Sequence, residues 1–168
     1  RPLIFNNTIH SVNGTAISLD NDDGTLEPNI INNIITDCDN GIYAFGSGEN
    51  PTISHNNTYQ CSNPYDGFSG GTGALAVNPL FVNTNPANYD FHLQTSSPCI
   101  DAGTNTGIAV DFENEPRPWP AGGSYDMGAD EVKYYTVDFT AGPGGSVAGN
   151  LSQKVLEGGN STAVTAEP

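Results

Sequence analysis

Positive charge is the scarcest property of this sequence. Its 168 residues hold four Lys and Arg against 19 Asp and Glu, a formal net charge of −15. The four bases are Arg1, Arg117, Lys133 and Lys154. So negative a surface repels phosphate backbones, which excludes nucleic-acid binding. It also disfavours acidic polysaccharides unless metal ions bridge the like charges. The acids are spread along the chain, the usual pattern of a solvated surface. Long apolar runs are missing as well, so no segment reads as a membrane span or a signal peptide. Cysteine is rare. Cys38, Cys61 and Cys99 are an odd number, which rules out a disulfide scaffold. Apolar residues nowhere keep helical spacing for more than about two turns, so almost no α-helix is expected.

What the chain does have is turn chemistry. Twenty glycines, 12 prolines and frequent Asn favour short strands joined by tight turns. Three segments then align without gaps from a proline: Pro2 to Val12, Pro28 to Cys38 and Pro51 to Cys61. The second position after the proline is Ile4, Ile30 and Ile53, the fifth is Asn7, Asn33 and Asn56, and the tenth is Val12, Cys38 and Cys61. The copies are 26 and 23 residues apart. A period in the low twenties signals units that cannot bury their apolar faces alone but share one core when stacked. Stacking at strand spacing makes an aliphatic ladder of the Ile column. In the Asn column each amide is donor and acceptor at once and can pass hydrogen bonds along. A second strand follows each copy, led by Gly14 and Gly41, with Asn63 to Phe68 as a degraded third. Alternation puts Ile17 and Leu19, or Ile42, on one face, with the phase left open. The chain opens inside a repeat, so an upstream continuation is expected.

These repeats resemble the right-handed parallel β-helix proteins of the pectate-lyase-like superfold. The resemblance implies an all-β solenoid over residues 1–71. From residue 72 the period breaks, and five pieces follow in order: Asn78-Pro-Leu-Phe-Val82, Tyr89 to Leu93, Ser97-Pro-Cys-Ile-Asp-Ala-Gly103, Asp111 to Pro118, and Asp126-Met-Gly-Ala-Asp-Glu131. Their succession is similar to the C-terminal region of many secreted bacterial β-helix proteins, with Asp130 where an aromatic is usual. It implies a cap over residues 72–132, with Leu80, Phe81, Val82, Phe91, Leu93, Ile100 and Phe112 supplying apolar cover. Residues 133–168 resemble the first half of an extracellular β-repeat of the internalin B-repeat type, with strands at 133–140, 146–149 and 161–166.

No catalytic residue is assigned. β-Helix polysaccharide lyases use an Arg or Lys base on a strand, and none of the four bases lies on a strand of the three copies. β-Helix glycoside hydrolases need converging carboxylates. The dense acidic turn is Asp20, Asp22 and Asp23, with Gly24 after it; its ordinary reading is a solvated loop, and its functional one a Ca²⁺ site, since hard oxygen ligands suit that ion. No other cofactor is expected. His10, His55 and His92 share no zinc spacing. Cys38 and Cys61 are equivalent by alignment and fit either buried thiols or a bridge between neighbouring copies. Cys99 is an alternative partner for Cys61. Tyr43, Phe45, Tyr59, Tyr65 and Trp119 serve as core, or stack on sugars where they face outward, with Tyr43, Tyr65 and Trp119 the candidates. The sequons follow from the abundance of Asn, Ser and Thr.

The expectation is therefore an extracellular or cell-surface protein with a structural, adhesive or carbohydrate-binding role, whose partner is a polysaccharide or another surface component. The alternatives are a lyase or hydrolase with its catalytic part upstream of residue 1, and a self-assembling fibre subunit.

Overall fold

The structure, a computed structural model, describes residues 1–20, 27–45 and 50–167. Among them there are twelve strands and no helix. The chain divides into two compact units, Arg1–Glu131 and Val132–Pro168.

In the first unit the three aligned copies supply six strands. β1 (Leu3–Phe5), β3 (Asn29–Ile31) and β5 (Thr52–Ser54) form one parallel sheet in the order β1-β3-β5. β2 (Thr8–Asp20), β4 (Ile34–Phe45) and β6 (Asn57–Asp66) form another in the order β2-β4-β6. Ile4, Ile30 and Ile53 are register partners, as are Val12, Cys38 and Cys61. Ile17, Leu19, Ile30, Ile35, Cys38 and Ile42 make the buried cluster, which fixes the phase of the second strands. Ile30, the middle of its column, is fully buried, while Ile4 and Ile53 are only partly covered.

The Asn column carries the polar half of this order. Asn7 Nδ2 donates to Asn33 Oδ1, and Asn33 Nδ2 donates to Asn56 Oδ1, both at 2.9 Å. Asn33 Nδ2 also reaches Ile4 O, and Asn56 Nδ2 reaches Ile30 O, at 2.8 Å each. Two fully buried amides, Asn33 and Asn56, are thereby satisfied, as burial requires. Their neighbours Asn6, Asn32 and His55 take φ of 53°, 59° and 50°, the left-handed corner that Asn tolerates well. Gly73 leaves room for the His55 ring, since a Cβ there would stand 2.4 Å from its Cδ2.

The architecture nevertheless corrects the expected fold class. The described strands lie in five separate sheets of two or three strands, none closed and none continuing as a solenoid, so a right-handed parallel β-helix is not what the chain forms. Three copies supply only three strands per parallel sheet. Beyond residue 72, Pro-, Gly- and Asn-rich chain replaces the repeat, and its two strands, β7 (Phe81–Asn83) and β8 (Asp90–Leu93), pair antiparallel.

The rest of residues 79–131 is held by a buried polar network. Arg117 and Glu131, each with a side chain 1% exposed, approach to 3.4 Å. Glu131 accepts the backbone N–H groups of Trp119 and Asp126 at 2.9 and 3.0 Å, and Arg117 Nη2 donates to Gly128 O at 2.8 Å. Asp111 accepts from the N–H groups of Glu113, Glu115 and Glu131. Asp126 accepts from Asp101 N, and Asp130 from Leu93 N. Of the apolar residues assigned to cover this region, Phe81, Leu93 and Ile100 are buried. Val82 and Phe112 are half-exposed instead: Val82 alternates outward on β7 beside buried Phe81, and Phe112 lies in the loop held by the polar bonds of Asp111.

In the second unit β9 (Tyr134–Asp138) pairs antiparallel with β11 (Ser152–Leu156), and β10 (Ser146–Ala148) with β12 (Thr165–Glu167). Strand β11 was not expected from the sequence. Buried Gln153 bonds Asn150 O and both the N–H and carbonyl of Thr162. Lys154 Nζ sits 4.0 Å from the centre of the Tyr134 ring.

Candidate binding groove

The described residues bring one mixed aromatic and polar groove together, and it belongs to the first unit. One wall is the polar pair of columns ahead of Val12, Cys38 and Cys61. In register, His10 lies opposite Thr36, and Thr36 opposite Tyr59. The next residues, Ser11, Asp37 and Gln60, take φ of 56°, 56° and 54°. None is a glycine, and each left-handed residue costs roughly 1–2 kcal/mol, held here by pairing on both sides. The other wall comes from the segment around β7 and β8: Asn78, Pro79, Phe81, Thr84, Pro86 and Tyr89. The enclosed volume is about 400 Å³.

His10 is the hinge between the walls. Its Nδ1 lies 2.7 Å from Thr36 Oγ1 and 3.1 Å from Asp37 Oδ2. Its ring centre is 5.5 Å from that of Tyr89 and 5.4 Å from that of Phe91. Tyr89 and Phe91 are stacked at 5.2 Å, and Phe81 meets Phe91 edge-on. These rings give the groove a stiff base and leave Tyr89 about 45% exposed.

Beside the groove a second, more open hollow of about 550 Å³ is lined by Val82, Tyr89, Phe91, His92 and Phe112 among others. His92 bridges Asp90 through Nδ1 and Glu113 through Nε2, with its ring against Phe112. Partial burial opposes its charge, but the bonds to Asp90 and Glu113 and the nearby charges of Asp130 and Asp90 outweigh this and raise its pKa to about 9. The His92 bond holds the Asp90 carboxyl below its usual range.

The other sequence candidates lie elsewhere. Tyr43, Tyr65 and Trp119 do not line the groove. Tyr65 packs on the core, and burial pushes its hydroxyl pKa up. The Trp119 backbone N–H donates to Glu131 Oε1. Asp20 is exposed at the end of β2, whereas Asp22 and Asp23 fall outside the described residues. No group of three acidic, His or Cys side chains among the described residues could hold a metal ion. Cys38 and Cys61 are joined in a disulfide between β4 and β6, one residue past Asp37 and Gln60. Cys99 is a free, buried thiol, pushed up to about 12 chiefly by that burial, so it is a poor nucleophile at neutral pH.

Neither groove tyrosine is among the three sequence candidates: Tyr59 reads from the sequence as core or, where it faces outward, sugar-stacking, and Tyr89 only as part of the cap. The signal for the Tyr59 wall lay in the gapless alignment: the eighth and ninth positions after the proline hold His10, Thr36, Tyr59 and Ser11, Asp37, Gln60, two adjacent columns with no aliphatic residue.

Compared with known proteins, the chain matches no family model, no curated protein and no solved structure. Among the described residues no helix is long and apolar enough to cross a membrane.

Proposed function

We propose that this chain is a non-catalytic carbohydrate-binding module of an extracellular or cell-surface protein, and that the groove between Tyr59 and Tyr89 is its binding site. The observation that carries this reading is the composition of the groove. The rings of Tyr59, Phe81 and Tyr89, the last about 45% exposed, stand beside hydroxyl, amide and carboxylate groups of Ser11, Thr36, Asp37, Gln60, Asn78 and Thr84. A sugar presents the same mixture, with C–H faces that lie on rings and hydroxyls that need partners. A glycosidase requires two carboxylates flanking the bond, and among the described residues Asp37 is the only one lining this groove. The Cys38–Cys61 disulfide supports an oxidising compartment.

The test is an amide chemical-shift titration with cello-, xylo- and laminari-pentaose and with polygalacturonate. Shifts are expected at residues 10–11, 36–37, 59–60 and 78–89 with a neutral oligosaccharide, and none with polygalacturonate. Tyr89→Ala is expected to weaken binding at least about tenfold by removing a stacking face. Shifts confined to other residues, or no shifts with any sugar, would end this reading.

A further inference from the structure

We infer that the groove selects sugars bearing a protonated amine, with Asp37 as the counter-charge that recognises it. This rests on the groove being a carbohydrate site and adds the class of sugar.

Among the described residues Asp37 is the sole carboxylate lining the groove, and no Lys or Arg lines it. The four bases are engaged elsewhere. Arg1 pairs with Glu27, Arg117 is buried against Glu131, Lys133 pairs with Glu157, and Lys154 lies over Tyr134. Among the described residues only His10 reaches Asp37, through Nδ1 to Oδ2, and that nitrogen also faces Thr36 Oγ1 at the shorter distance. One ring nitrogen carries one proton at most, so the two oxygens compete for it. Asp37 Oδ1 makes no hydrogen bond among the described residues. The carboxylate is about 39% exposed. It is therefore open to a ligand yet partly shielded from water, where a charge-assisted hydrogen bond is stronger than one to bulk-exposed carboxylate.

The surroundings act in the same direction. Thr36, Ser11 and Gln60 flank Asp37 with uncharged donors and acceptors suited to hydroxyls, while Tyr59 and Tyr89 offer ring faces within the same groove. A neutral sugar satisfies all of these but leaves Asp37 Oδ1 with only a hydroxyl. An amino sugar gives it an ammonium. An acidic sugar brings a second negative charge, which nothing in the groove neutralises and which the overall charge of −15 repels.

The experiment is calorimetric titration with glucosamine pentamer, N-acetylglucosamine pentamer and cellopentaose, at about 20 and 500 mM salt. Glucosamine pentamer is expected to bind about tenfold more tightly than cellopentaose at low salt, with the margin shrinking at high salt. Asp37→Asn should abolish that margin, bringing glucosamine-pentamer affinity down to that of cellopentaose for the same variant at both salt concentrations. Asp138→Asn, an exposed acid of the second unit, should leave the margin intact and so measures general attraction to the acidic surface. Equal affinities in the wild type, or a margin that survives Asp37→Asn, would overturn the inference while leaving the groove a sugar site. Failure of all three oligosaccharides to bind would overturn both.

Discussion

The repeated part of the first unit and the part that follows it solve the same problem by opposite means. In residues 2–66 the amides of Asn7, Asn33 and Asn56 are satisfied by repetition, each bonded to its equivalent in the next copy, beside an aliphatic column in matching register. Residues 79–131 satisfy theirs with single-use pairs such as Arg117 with Glu131 and Asp111 with three backbone N–H groups. The difference teaches where each region is fragile. A ladder distributes loss over neighbours of the same kind. A one-off network concentrates it in a few charged groups that water cannot reach.

The largest expected effect follows from that concentration. Glu131→Ala leaves Arg117 as a buried cation without its carboxylate and strips two backbone donors of their acceptor. A loss of about 3–5 kcal/mol is expected in urea unfolding monitored by far-ultraviolet circular dichroism. A loss below about 1 kcal/mol would show the network to be dispensable and erase the contrast.

Next is the centre of the ladder against its end. Asn33→Ala removes bonds to Asn7, Asn56 and Ile4 O from a fully buried position, and about 2–4 kcal/mol is expected from the polar groups stranded there. Asn7→Ala, at an exposed end, should cost about 1 kcal/mol or less. Equal losses would mean that position in the ladder does not matter.

The smallest effect is electrostatic. His92 titrates at about 9 when folded against 6.5 as its ordinary value. A raised folded pKa contributes stability that is fully present below pH 6.5 and is lost as pH rises through about 9. The urea midpoint should therefore fall across that window, modestly because the ring is about 40% exposed to water. His92→Gln should flatten the slope. A midpoint that rises with pH there would contradict the bridge to Asp90 and Glu113.

How much of this could be read in advance follows from the same contrast. Columns such as Ile4, Ile30 and Ile53, or Asn7, Asn33 and Asn56, announce themselves because the sequence states them three times. What repetition does not state is how far the sheets extend, and there the solenoid expectation failed: three strands per sheet, then antiparallel chain. Arg117 and Glu131 are stated once, and nothing in a lone Arg between prolines tells which carboxylate it meets. The groove was half legible. His10, Thr36, Tyr59 and Asp37 stand in aligned columns, but Phe81 and Tyr89 arrive from a segment with no period, and only folding places them opposite. Strand β11 was hidden by Gln153 and Lys154, polar residues at positions where its alternation would show.

The Asn ladder has one more implication. Its amide-to-amide bonds both point the same way, from Asn7 through Asn33 to Asn56, and each link requires the next Asn at one fixed height. Chain length in this part of the molecule is thus quantised. Gaining or losing a whole copy of 23 or 26 residues keeps every amide over an amide, whereas inserting a single residue between Ile30 and Asn33 throws the column out of step. Such a segment can grow by duplication far more readily than it can drift by small insertions.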